Sequence, residues 1–104
     1  MITSKQRAYL RGLANPLEPI FQIGKAGAGD EEQIKQIGNA LEARELIKLH
    51  VLEYCPQSTR EAAVIVAEGC GADVVSVIGG KFVLYRPSES KRRDRSPDRI
   101  ILPS

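Results

Sequence analysis

The stretch Gly24-Lys25-Ala26-Gly27-Ala28-Gly29 packs three glycines and one lysine into six residues, and binding chemistry is most concentrated there. Glycine lets a backbone approach another molecule closely, and Lys25 adds one mobile positive charge between two of them. The spacing is wrong for a nucleotide enzyme. A P-loop needs Gly-x-x-x-x-Gly-Lys-Ser/Thr, whose hydroxyl holds magnesium, and the dinucleotide fingerprint needs Gly-x-Gly-x-x-Gly; neither stands here. Asp30, Glu31 and Glu32 follow at once and would repel a phosphate on the next helix N-terminus, whereas carboxylates suit the positive end of the helix dipole.

Other chemistry is sparse. His50 is the sole imidazole, and its alternation with Lys48 puts it on a sheet surface rather than in a cleft. The serines of the C-terminal stretch lie far from it in sequence, so no nucleophile–base pair suggests itself. Cys55 and Cys70 with one histidine cannot build a four-ligand zinc site from Cys and His alone. Two free thiols, at least one packed as a small hydrophobe, are expected, with a disulfide as the alternative. We expect no enzyme, no metal and no cofactor. What remains is the Gly-x-x-Gly core, Gly24 to Gly27. It is either a plain connecting turn or a loop like the GXXG element with which KH-type domains clamp a nucleotide backbone.

Charge is unevenly spread. Residues 1–85 hold nine Lys and Arg against ten Asp and Glu, while residues 86–104 hold six against three. The first seventeen residues carry Lys5, Arg7 and Arg11 with no acid. Arg7 and Arg11, one helical turn apart, Lys48 on a strand, Arg86, and the run Lys91-Arg92-Arg93 with Arg95 are a pattern that suits phosphates, whose contacts give affinity without sequence readout. A solvated face with a disordered basic tail is the alternative. Two phenylalanines and three tyrosines, mostly fitting the core, argue against an extensive aromatic stacking platform.

These groups must be positioned by few elements, because 104 residues make one domain. The longest uninterrupted apolar run, Ala62 to Ala67, is far short of a membrane span, and the first residues do not read as a signal peptide, so a cytoplasmic protein is expected. Thr3 with Gln6 spaces a capping box for a helix over Ser4 to Ala14, with Gln6, Tyr9, Leu10 and Leu13 on one face and Arg7 and Arg11 opposite. Asn15-Pro16 ends it. A short strand over 19–23 precedes the glycine loop. Ile34, Ile37 and Leu41 mark a second helix, and alternation over 45–53 a strand. Ser58 and Glu61 cap a third helix that Gly71 ends. Two β-rich segments flank Gly79-Gly80, read as a tight hairpin with both glycines at positive φ. From Pro87 on, the chain reads as an extended or mobile tail. The order α-β-α-β-α-β-β predicts a single α/β domain with a four-stranded mixed sheet packed with helices, the strand–helix–strand units favouring parallel neighbours.

Several motifs in this order resemble one family. Lys5-Gln6-Arg7, Leu10-Arg11-Gly12-Leu13-Ala14, Ile23-Gly24-Lys25-Ala26-Gly27, Ala40-Leu41-Glu42-Ala43-Arg44-Glu45-Leu46-Ile47-Lys48 and Val77-Ile78-Gly79-Gly80-Lys81 through Leu84-Tyr85-Arg86-Pro87 look like the YhbY family. This is the free-standing bacterial form of the CRM (chloroplast RNA splicing and ribosome maturation) domain. The resemblance covers about residues 3–87 and a terminal Ile-Leu-Pro. It implies a fold like the C-terminal domain of translation initiation factor three and a non-catalytic RNA-binding domain that associates with ribosomal RNA in large-subunit precursors. It also implies a site made of Gly24, Lys25, Ala26 and Gly27 with Lys5, Arg7, Arg11, Lys48 and Arg86. The chain then divides into an RNA-binding domain over 1–87 and a basic extended tail over 88–104, with a monomer as the default. Where relatives carry an apolar residue and then Thr or Ser after the second loop glycine, this chain has Ala28-Gly29; Asp30 is the substitute cap, and Glu31 and Glu32 make that rim acidic. A protein–protein module docking through Ile100-Ile101-Leu102, or a translation-associated factor, is the alternative.

Overall fold

The computed structural model describes residues 2–104. Local signals set most element boundaries. Thr3 begins α1 (Ser4–Ala14) with the reciprocal cap its spacing predicts: its hydroxyl accepts from Gln6 N–H at 3.1 Å, and Gln6 Oε1 accepts from Thr3 N–H at 3.0 Å. Asp30 caps α2 (Glu31–Arg44) by accepting from Glu32 N–H. Ser58 and Glu61 cap α3 (Thr59–Cys70), which Gly71 ends in the left-handed conformation. The strands are β1 (Phe21–Ile23), β2 (Leu46–Val51), β3 (Asp73–Ile78) and β4 (Lys81–Tyr85), with a short α4 (Glu89–Arg93) after them.

The sheet order is β1-β2-β4-β3, with β1 parallel to β2 and β4 antiparallel to both its neighbours. Adjacent parallel strands therefore follow from β1-α2-β2 only, because β4 inserts between β2 and β3. The cause is burial: Phe82, Val83, Leu84 and Tyr85 are all buried, so β4 needs cover on both faces and takes a central place. Ile47, Leu49, Val51, Phe82 and Leu84 meet α2 and α3, while Leu46, Val83 and Tyr85 meet α1. A bulge between Val74 and Ser76 leaves Val75 without a partner and turns it into the α1-side core.

Three expectations are corrected. In α1 the buried residues are Leu10 and Ala14; Tyr9 and Leu13 are 44% and 39% exposed, since a single helix meets this sheet face along a narrow line. Arg7 and Arg11 are consequently not on the far side of α1. Of the two hairpin glycines only Gly79 takes a positive φ, +59°. The largest change concerns residues 88–104, which are neither wholly extended nor detached. Ser88 and Ile100 N–H donate to the buried Glu45 carboxylate at 2.5 and 2.6 Å, the Arg92 guanidinium meets it at 3.0 Å, and Ile100 and Leu102 pack beside the α1-side core. A buried carboxylate is stable only with such partners, and the C-terminal stretch supplies them. Two of its three apolar tail residues are thereby occupied, which removes much of the proposed docking segment. Cys55 and Cys70 are free thiols near opposite ends of α3, about 18 Å long at 1.5 Å per residue and too far for a bridge. Burial pushes the Cys70 thiol up.

Candidate nucleic-acid interface

One end of the sheet gathers the loop and the cations. The glycine loop leaves the C-terminal end of β1, where Leu52 N–H donates to Ile23 O at 2.9 Å; the β3–β4 hairpin closes the same end through Val51 N–H to Gly80 O at 2.7 Å. Gly27 N–H donates to Gly24 O at 3.0 Å, making a turn that leaves Lys25 and Ala26 exposed. Gly27 has φ +82°, and a Cβ there would stand 2.9 Å from Gln57 Oε1. That same oxygen accepts from Ala28 N–H at 2.9 Å, so Gln57 pins the loop from behind. Both features require glycine at position 27.

On the α1 side of the sheet the same end is open. A cavity of about 160 Å³ is lined by Arg11 and Asn15 of the helix end, Lys48 of β2, Ser76 and Ile78 of β3 and Lys81 of β4. Pairing explains the convergence: Lys48 and Ser76 both register with Val83, and Ile78 registers with Lys81. Among the described residues no carboxylate forms an ion pair with Arg11, Lys48 or Lys81. Three like charges without a counter-charge make a site of positive potential, aided by two neutral hydrogen-bonding side chains. The axes of β1 and β4 lie two strand spacings apart, about 10 Å, so loop and cavity can touch one extended polyanion.

The remaining site candidates scatter. Lys5, at the other end of α1, donates to Ser104 O at 3.2 Å, and Arg7 is half-buried on the same helix. Arg86 follows the opposite end of β4, roughly 15–20 Å from Lys81 at about 3.3 Å per residue. Its guanidinium donates to Cys70 O at 2.8 Å and Gly38 O at 2.9 Å and lies 3.6 Å from Glu42, tying α3 and α2 to the sheet. Three of the five cations in residues 88–104 are paired as well: Lys91 with Asp98 at 2.6 Å, Arg92 with Glu45, and Arg93 with Asp94 at 3.5 Å. Sequence reasoning missed Lys81 and Gln57. Lys81 was legible, because alternation along β4 puts it on the face of Val83; Gln57 was not, since its role depends on a loop thirty residues earlier.

The whole chain is similar to known proteins. The family model described as the CRS1/YhbY (CRM) domain matches residues 2–86. The chain is 43% identical over 97 residues to "Probable RNA-binding protein YqeI" of Bacillus subtilis, covering 93% of this chain and all of that one. It is 36% identical to "Probable RNA-binding protein MJ0652" of Methanocaldococcus jannaschii over 88% of this chain and 69% of the relative. The solution structure of the hypothetical protein SAV1595 from Staphylococcus aureus superposes with a TM-score of 0.77 at 45% identity, covering 99% and 100% of the two chains.

Proposed function

The chain belongs to the CRS1/YhbY (CRM) domain family, and on that premise we propose that it binds RNA through the loop end of its sheet. The observation that carries this reading is the cavity where Arg11, Lys48 and Lys81 converge without a carboxylate, at the same end of the sheet as the exposed Lys25 of the glycine loop. Phosphate oxygens fit such a surface: cations supply affinity and the loop backbone a close approach, with no sequence readout and no catalytic step. Relatives named as RNA-binding proteins support it. The family resemblance extends the proposal to ribosomal RNA of large-subunit precursors, bound in the cytoplasm by a monomer acting in assembly. Gly24, Lys25, Ala26, Gly27, Arg11 and Lys48 form this surface. Lys81 joins them, Arg7 and Lys5 stand further off along α1, and Arg86 is assigned to the scaffold.

Sedimentation of a lysate at low salt tests the partner. Migration with large-subunit precursors is the expected result, polysome association would favour a translation factor, and absence from every ribosomal fraction would favour a protein partner. Purified protein should also bind structured ribosomal RNA with log affinity falling by about 0.7–0.9 per phosphate contact for each decade of salt. A flat response would exclude this mechanism.

A further inference from the structure

Beside the glycine loop stands an aromatic residue that the phosphate reading leaves unused. Tyr54, in the turn between β2 and α3, is 61% exposed. Its Cε2 atom lies 3.2 Å from where a Cβ on Gly24 would be, with Leu52 Cδ1 3.7 Å from the same point. Pro56 stands 3.2 Å from the corresponding point at Gly27. Glycine at position 24 thus admits the ring edge against the loop backbone, and an apolar margin of Leu52, Tyr54 and Pro56 runs along the side of a loop whose outer tip carries Lys25. A ring braced at one edge and open to solvent over most of its surface is pre-organised for a flat partner, and little side-chain freedom is lost on contact.

Resting on the RNA reading above, we infer that Tyr54 stacks an unpaired nucleobase of the nucleotide whose phosphate meets the Gly24–Gly27 loop. The ligand at this point is single-stranded RNA, because a paired base offers no free face to a side chain. The tyrosine makes no demand on base identity, since every base has a π-face. It sets the strandedness of the bound segment, while Lys25 and the cation cavity set its charge dependence.

The test compares an unstructured RNA decamer with the same sequence in a perfect duplex, each titrated across salt concentrations with the wild type, Tyr54→Ala, Tyr54→Phe and Lys25→Ala. Tyr54→Ala should weaken binding of the single strand roughly 5- to 150-fold, leave the salt slope unchanged and leave duplex binding unchanged. Tyr54→Phe should bind like the wild type. Lys25→Ala should reduce the single-strand salt slope by about 0.7. Unchanged thermal unfolding of Tyr54→Ala would show that the fold is intact, and quenching of tryptophan emission in Tyr54→Trp by the decamer would report the stack directly. If Tyr54→Ala holds the single strand as tightly as the wild type, or loses strand and duplex equally, the stacking role is wrong while RNA binding stands. If the wild type binds neither RNA at low salt, the RNA reading itself fails and takes this inference with it.

Discussion

Lys81 and Arg86 stand at the two ends of one strand in opposite settings, one lining the open cavity and the other bonded to the carbonyls of Cys70 and Gly38. Lys81 is exposed at the open cavity, so Lys81→Ala should reduce the RNA salt slope by about 0.7–0.9 and move unfolding free energy by no more than about 0.5 kcal/mol. Arg86→Ala should do the reverse: it strands the carbonyls of Gly38 and Cys70, costing about 1.5–3 kcal/mol in urea denaturation, with the slope unmoved. Arg86 reads as a surface cation in the sequence because its partners lie 48 and 16 residues away. No local pattern announces such a bond. Gly27→Ala should destabilise by about 1–2 kcal/mol through its positive φ alone, and displacement of Gln57 adds to that. A Gly27→Ala protein as stable as the wild type would contradict the loop geometry.

The elements divide between those that local sequence determines and those that distant burial determines. Helix caps at Thr3, Asp30 and Ser58 follow from spacing, and the helices begin where spacing puts them. The end of α2 does not: Glu45 takes φ +67° and is fully buried, whereas alternation reads it as the first residue of a strand. Its carboxylate and that of Glu42 anchor the chain after β4. Hydrogen bonds from Ser90 and Ser88 hold Glu42 down at about 2, from an ordinary 4.5. Because the folded value is the lower one, this contact stabilises the protein above about pH 4.5, and the contribution is lost as pH falls towards 2. The unfolding midpoint should therefore fall over that window, and Glu42→Gln should fall less steeply than the wild type. Equal slopes would show that the Glu42 anchor does not form in solution.

Across the whole molecule, net charge and available charge are different quantities. The C-terminal stretch is the most basic part of the sequence, yet Glu45, Asp98 and Asp94 take up much of its charge, while the near-neutral body presents Arg11, Lys48 and Lys81 without an ion-pair partner among the described residues. Counting residues along the chain could not reveal this, because pairing is decided in three dimensions. A docked tail also has a kinetic signature. Ile100 N–H, bonded to a buried carboxylate, should exchange with solvent as slowly as amides of β4, whereas a mobile tail would exchange it at once.

The central claim is that RNA meets the loop end of the sheet and not the Arg86 end. Amide chemical-shift mapping of the full chain during titration with a single-stranded RNA tests it most directly. The account predicts perturbations at residues 24–28, at Arg11 and Asn15, at Lys48 and across residues 78–81, with Gly38, Cys70 and Arg86 unmoved. Perturbations concentrated instead at Arg86, Glu89 and Arg92, with the glycine loop silent, would contradict it.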